Sequence, residues 1–282
     1  MMNWISYREL HEEVADFAAR LPADLAGVVG VPRSGLMAAS LLALFRHVHL
    51  SDVETFSRTG KFHTPGSRLA TPAPTAGAKV LLLDDSSIRC RAIGSAEKKI
   101  RESPRCDGFE LLRGAFYVTP EAAVRLDVYH RVVPLPRVFE WNWMAHQNLG
   151  RWMCDVDGVL CRDPAVFDDD GPEYEQALRR AEPLYLPRHP VRTLITCRIQ
   201  RWRSVTRQWL RRHGVIVSEL IMHPAHSAEA RRRQGGYGHW KGNCYRTSPC
   251  TLFIESSAAQ APAIARAAGK PVLCLEDKRI YP

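Results

Sequence analysis

Lys79-Val80-Leu81-Leu82-Leu83-Asp84-Asp85-Ser86-Ser87-Ile88-Arg89-Cys90-Arg91 runs an apolar strand into two adjacent carboxylates, two serines and the start of an expected helix. In open α/β sheets ligands sit at the carboxyl ends of the strands. Two carboxylates at that edge suit the vicinal hydroxyls of a sugar or a magnesium ion. The following turn and helix start can donate backbone N–H groups to a phosphate. Read without a ligand, the same pair is a solvated acidic strand end.

Outward from this stretch, hydrophobic periodicity alternates between helical and strand-like segments. It predicts a helix over 7–21, a strand over 27–31, a helix over 34–45 and a strand over 79–83. That order implies a parallel sheet. Residues 56–77, rich in Ser, Thr, Gly and Pro, read as a mobile lid. Val132-Val133-Pro134-Leu135-Pro136 is a stiff connection, and the cluster Phe139-Glu140-Trp141-Asn142-Trp143 follows it, read as packing or as a stacking wall for an acceptor. The domain boundary falls near 148, giving domains over 1–148 and 149–282. The second half repeats the alternation, with strands over 152–154, 192–195, 251–254 and 272–275 and helices over 202–213 and 260–268. Both halves read as open, doubly wound, mostly parallel α/β domains.

The bulk properties agree with this. A chain of 282 residues that is 45% hydrophobic and 24% charged is neither disordered nor fibrous. The most apolar stretch, 26–45, is broken by Pro32-Arg33-Ser34 and is no membrane span. The amino terminus lacks the order of a secretory signal, which points to the cytoplasm. The eight cysteines form no C-x-x-C pair and read as reduced thiols. A net charge of +9 fits a polyanionic partner or sites for phosphorylated small molecules. The arginines at 201, 203, 207, 211 and 212, with Arg231-Arg232-Arg233, read as a solvated basic face rather than a nucleic-acid surface.

A second strand-to-helix junction, Val28-Val29-Gly30-Val31-Pro32-Arg33-Ser34-Gly35, brings glycines for close approach to an anion and a fixed positive charge. Together the two junctions resemble the type I phosphoribosyltransferase family over roughly the first 130 residues. The resemblance implies a donor site for phosphoribosyl pyrophosphate (PRPP). Asp84 and Asp85 hold the ribose hydroxyls, the turn with Ser86, Ser87, Arg89 and Arg91 binds the 5-phosphate, and Arg33, Ser34 and Gly35 hold magnesium pyrophosphate. The family's phosphate turn is rich in Thr, Ser and Gly, whereas Cys90 stands at the expected glycine here.

In the second half, Arg151-Trp152-Met153-Cys154-Asp155-Val156-Asp157-Gly158 places two aspartates two apart after a short apolar strand. Such carboxylates can share a magnesium ion, or one can attack phosphorus while the other moves a proton. Thr196 follows the 192–195 strand, Lys241 sits in a polar stretch, and Glu255 ends the 251–254 strand. In this order the elements resemble the haloacid dehalogenase-like hydrolase superfamily over 150–276. The resemblance implies Asp155 as nucleophile, Asp157 as general acid and then base, and Thr196 and Lys241 as the phosphoryl clamp. Glu255, with Asp155 and the backbone carbonyl of Asp157, would hold Mg2+. Glu255 is followed by Ser256-Ser257 instead of a second carboxylate, and too few positions separate Asp155 from Thr196 for more than a minimal cap.

Joined, the two resemblances imply a bifunctional enzyme. It transfers 5-phosphoribosyl from PRPP to an acceptor and then removes the 5-phosphate, leaving a ribofuranosyl unit. Fusions of this kind are associated with bacterial polysaccharide biosynthesis, which implies a glycan or lipid-linked acceptor and peripheral association with glycan-assembly machinery. Two alternatives remain at this point: a nucleotide-pathway transferase with a nucleotidase, and a phosphatase carrying a non-catalytic ligand-binding domain.

Overall fold

The computed structural model describes residues 2–63, 72–164 and 170–282. Internal contacts divide the chain into two units, Ile5–Trp141 and Asn142–Pro282, the second joined by the first residues of the chain.

The chain opens with β1 (Asn3–Ile5), and the first unit is built from α1 (Tyr7–Ala18), β2 (Leu25–Gly30), α2 (Ser34–Arg46), β3 (His49–Asp52), α3 (Val53–Thr59), β4 (Lys79–Ser87), α4 (Arg91–Arg101), β5 (Glu110–Val118), α5 (Pro120–Ala123), β6 (Val128–Val132) and β7 (Arg137–Phe139). Its main sheet has the order β3-β2-β4-β5-β6 and is parallel throughout. The apolar run in β4 is continuous because both of its faces are covered. Leu81 and Leu83 enter one core cluster, with Leu10, Phe17 and Leu42, while Val80 and Leu82 enter the other, with Phe56, Ile93 and Ile100. Two of the helices begin where a side chain satisfies free N–H groups. Ser6 and Glu9 form a capping box on α1, and Asp52 caps α3.

The structure changes two details of the sequence reading. Strand β4 continues through Ser87, so Asp84 and Asp85 lie within the strand and the turn is reduced to Ile88–Cys90. The segment read as a lid from residue 56 instead starts as helix: α3 runs to Thr59, and Phe56 is buried against Phe62 and Phe109. Residues 64–71 of that segment lie outside the described residues.

The second unit comprises β8 (Trp152–Asp155), α6 (Pro172–Arg180), β9 (Val191–Ile199), α7 (Arg203–Arg212), β10 (Val217–His223), α8 (Ala228–Gln234), α9 (Tyr237–Thr247), β11 (Leu252–Glu255), α10 (Ala261–Ala268), β12 (Val272–Cys274) and β13 (Arg279–Tyr281). Its sheet has the order β10-β9-β8-β11-β12-β13, parallel except for the final antiparallel pair. Here too the structure departs from the sequence reading. Thr196 lies inside β9 instead of after it, and Lys241 lies on α9 instead of in an irregular polar stretch. Among the described residues, no helix is long and apolar enough to cross a membrane.

Helix α9 reaches its place by packing closely on α10. A Cβ added at Gly242 would lie 2.6 Å from Ala267 Cβ and 2.8 Å from the Ile264 carbonyl oxygen. Gly242→Ala is therefore expected to push the helices apart and cost about 1–3 kcal/mol, read as a lower urea midpoint; an unchanged midpoint would contradict this packing.

Candidate active sites

Both sheets reverse their strand order at one point, and the crevice at the carboxyl ends there is where open α/β folds bind ligands. In the first unit the reversal lies between β2 and β4, and in the second between β8 and β11. Asp84 and Asp85 lie on β4 at the first of these points, and Asp155 and Glu255 end β8 and β11 at the second.

In the first unit, the Pro32–Arg33 peptide is cis and leads into the first turn of α2. Gly35 lets that turn approach the acidic pair, since a Cβ there would stand 2.7 Å from Asp84 Oδ1. The Ser34 hydroxyl donates to Asp85 Oδ1 at 2.7 Å, and the indole N–H of Trp141 donates to Asp85 Oδ2 at 2.7 Å. The Asp85 backbone N–H donates to Asp84 Oδ1 at 2.9 Å. Both carboxylates are buried. Burial, followed by the charge of Asp85, pushes the Asp84 carboxyl up to about 8. Asp84 thus keeps its proton at neutral pH.

Beyond the strand, the Cys90 N–H donates to the Ser87 hydroxyl at 2.9 Å, and the Thr119 hydroxyl donates to the Ile88 carbonyl at 2.8 Å. Cys90 takes a left-handed backbone (φ 55°), the conformation glycine adopts without strain, and α4 starts immediately after it. Arg33, Arg89 and Arg91 are exposed, Ser86 is half-buried and Ser87 is buried. Arg89 and Cys90 also line a groove of about 450 Å³ along the flank of α4, shared with the Arg113–Asp127 ion pair.

In the second unit, Asp155 ends β8, with its Oδ1 accepting the Val156 N–H at 2.8 Å. The Lys241 ammonium lies between two carboxylates, 2.6 Å from Asp155 Oδ2 and 2.8 Å from Glu255 Oε2. The other Glu255 oxygen accepts the N–H groups of Ser256 and Ser257 at 3.0 and 3.1 Å. Asp157 is held by the Thr196 hydroxyl at 3.0 Å and by Arg198, whose Nε and Nη2 lie 3.0 and 2.5 Å from its carboxylate oxygens. Arg198 is itself buried and donates to Thr206 Oγ1. Asp155, Asp157, Lys241 and Arg198 open onto a cavity of about 460 Å³ that is also lined by Asp163 and Tyr237.

The electrostatics follow from this inventory. Burial pushes the Asp155 carboxyl well above the usual range, with Lys241 opposing and Glu255 and Asp157 adding to the rise. Burial also acts to raise Asp157, but the charge and hydrogen bonds of Arg198, with the Thr196 hydroxyl, outweigh it and hold the carboxylate ionised. Burial opposes the Lys241 ammonium, yet Asp155 and Glu255 keep it protonated. Four carboxylates (Asp155, Asp157, Asp163 and Glu255) and three cations (Lys241, Arg198 and Arg231) gather here, so one negative charge remains for a proton or a further cation to compensate.

Among the described residues, no group of three or more His, Cys, Asp or Glu side chains is arranged as a metal cage. The donor set nevertheless suits a hard cation that keeps several waters. Asp155 and Glu255 are close enough to share one ammonium, and the Asp157 carbonyl oxygen is fixed beside them by the Ser256 hydroxyl at 3.3 Å. The Asp157 carboxylate is taken by Arg198 and Thr196, so only its backbone oxygen belongs to such a set. Arg198 is the residue the sequence reading missed. Its signal was an arginine two places after Thr196 in a strand with apolar neighbours, a position where arginine stays only if paired.

No family model and no curated protein matches this chain. Solved structures similar to it include a purine phosphoribosyltransferase from Pyrococcus horikoshii, 16% identical, covering 50% of this chain and 93% of that one with a TM-score of 0.37. A xanthine-guanine-hypoxanthine phosphoribosyltransferase from Helicobacter pylori is 12% identical and covers 51% and 95%, with a TM-score of 0.39. An orotate phosphoribosyltransferase from Aeropyrum pernix is 20% identical and covers 47% and 69%, with a TM-score of 0.31. The roles assigned below rest on this chain's own residues.

The raised Asp84 carboxyl has a definite sign in stability. The folded chain keeps that proton up to about pH 8, whereas the unfolded chain releases it near pH 4. Between these values the unfolded state binds fewer protons, so the contribution of Asp84 to stability falls as pH rises. Asp84→Asn is expected to gain melting temperature relative to the parent as pH goes from 4 to 8, and a constant difference would contradict the assignment.

Proposed function

We propose that the chain is a bifunctional enzyme that transfers 5-phosphoribosyl from PRPP to an acceptor, a glycan or lipid-linked sugar, and then hydrolyses the 5-phosphate to leave a ribofuranosyl unit. The observation that carries this reading is the placement of a buried carboxylate cluster at the reversal point of each sheet, beside a helix start in the first unit and a buried lysine in the second. The product of the first reaction carries the group that the second cluster is built to remove.

In the first unit, Asp84 and Asp85 address the ribose hydroxyls of PRPP, and Arg33, Ser34 and Gly35 approach its magnesium-bound pyrophosphate. Ser86, Ser87, Arg89 and Arg91, with the start of α4, face the 5-phosphate, where charge-assisted bonds from arginine substitute for a glycine-rich turn. The bond from the anomeric carbon to pyrophosphate breaks as the acceptor hydroxyl oxygen attacks, and the departing pyrophosphate takes up the hydroxyl proton. The protein acts mainly by positioning the two reactants.

In the second unit, Asp155 attacks phosphorus and the ester oxygen leaves. The sequence reading made Asp157 general acid and then base; because Arg198 and the Thr196 hydroxyl hold it ionised, only the base role is kept, and the proton for the leaving oxygen arrives with a substrate phosphate monoanion. Water then attacks the aspartyl-phosphate, Asp157 takes its proton, and the departing phosphate carries that proton away. Thr196 and Lys241 hold the phosphoryl oxygens. Asp155, Glu255 and the Asp157 carbonyl would hold Mg2+, which when bound would supply positive charge to offset the approach of a carboxylate to an anionic phosphate.

Calorimetric titration with PRPP and magnesium tests the reading. Binding is expected in the intact protein and in Asp155→Asn, and its loss in Asp84→Asn/Asp85→Asn. If the intact protein does not bind, the transferase reading falls and the first unit is a ligand-binding module instead.

A further inference from the structure

The acidic pair of the first unit is not symmetric. Each Asp85 oxygen already accepts one hydrogen bond, from Ser34 and from Trp141, both at 2.7 Å. The buried Arg137 guanidinium also lies near enough to feel the Asp85 charge. Asp84 Oδ1 accepts the Asp85 backbone N–H at 2.9 Å, and burial makes Asp84 the member that holds a proton. Trp141 comes from far along the chain and is itself fixed by aromatic packing. Its ring stacks on Phe139 at 4.9 Å and on Tyr117 at 6.3 Å, and it meets Tyr7 at 5.7 Å. A ring held on several sides cannot turn its N–H away from Asp85.

We infer that Trp141 is a positioning residue of the first site: its indole N–H fixes the Asp85 carboxylate so that the acidic pair meets the donor's ribose in one geometry. This rests on the reading of that site as a PRPP site. A carboxylate oxygen has two acceptor directions. With one on each oxygen used by Ser34 and Trp141, the remaining directions are set, and a ribose hydroxyl meets a preorganised acceptor rather than a carboxylate free to rotate. Replacing Trp141 by Phe keeps a smaller aromatic ring in the stack and removes the N–H, which leaves Asp85 Oδ2 short of that donor.

The test is a double-mutant cycle on the intact chain, using magnesium PRPP as the probe. Trp141→Phe is expected to bind about ten-fold more weakly than the parent, the loss of one hydrogen bond to a charged group. Trp141→Phe/Asp85→Asn is expected to bind no more weakly than Asp85→Asn alone, because the two residues act through one interaction. Additive losses would mean that Trp141 contributes packing only and would overturn the inference, as would unchanged binding in Trp141→Phe. Failure of the parent to bind is a different result: it overturns the donor site and the positioning role with it. Independently of ligand, the Trp141 indole N–H resonance, assigned by triple-resonance experiments, is expected to shift in Asp85→Asn. This arm decides the matter even if Trp141→Phe does not fold. An unmoved resonance would overturn the inference.

Discussion

The bridge from the Lys241 ammonium to Asp155 and Glu255 is the interaction on which the second unit is organised. Carboxylates withdrawn from water are costly unless paired, and a lysine without partners in the same place is equally costly. Neither can be buried without the other. The sheet brings Asp155 and Glu255 to neighbouring strand ends, where β8 and β11 pair in parallel, and α9 brings the ammonium to both. Glycine at 242 lets α9 lie close enough on α10 for this to happen. Arg198 answers Asp157 in the same way from within β9.

The same constraint shapes the first unit with different means. No lysine enters between Asp84 and Asp85. The pair is accommodated by a proton on Asp84, by hydrogen bonds from Ser34 and Trp141 to Asp85, and by the nearby charge of Arg137. Gly35 keeps the start of α2 against these carboxylates. In the second unit the compensation is incomplete, and in both units the reversal of strand order provides the crevice at which an incoming group meets the carboxylates. On the proposed reading that group is a sugar hydroxyl set in one unit and a phosphoryl group with its cation in the other.

Much of this arrangement was legible in the sequence because its signals are local. Apolar runs ending in Asp84-Asp85, Asp155 or Glu255 announce strands and their functional ends together, and the alternation of strands and helices announces parallel sheets. What was not legible depends on long-range partners. Nothing local says that β4 extends through Ser87, since Asp84 and Asp85 become strand residues only by pairing beside β5. Lys241 looked like part of a polar stretch because α9 has few apolar residues and is held by close glycine packing instead of a broad hydrophobic face. The partners of Asp157 and Asp85, Arg198 and Trp141, lie 41 and 56 positions away, beyond the reach of a motif of fixed spacing.

The most direct test of the second unit's chemistry is to trap phosphate on Asp155. Asp157→Asn removes the base that takes the proton from water, so a phosphomonoester such as p-nitrophenyl phosphate with magnesium should leave a phosphorylated Asp155 that persists after acid quench and is located by peptide mass spectrometry. The account predicts that adduct in Asp157→Asn and its absence in Asp155→Asn, with release of p-nitrophenol abolished in the latter. Hydrolysis that survives Asp155→Asn, with no adduct on either variant, would contradict it.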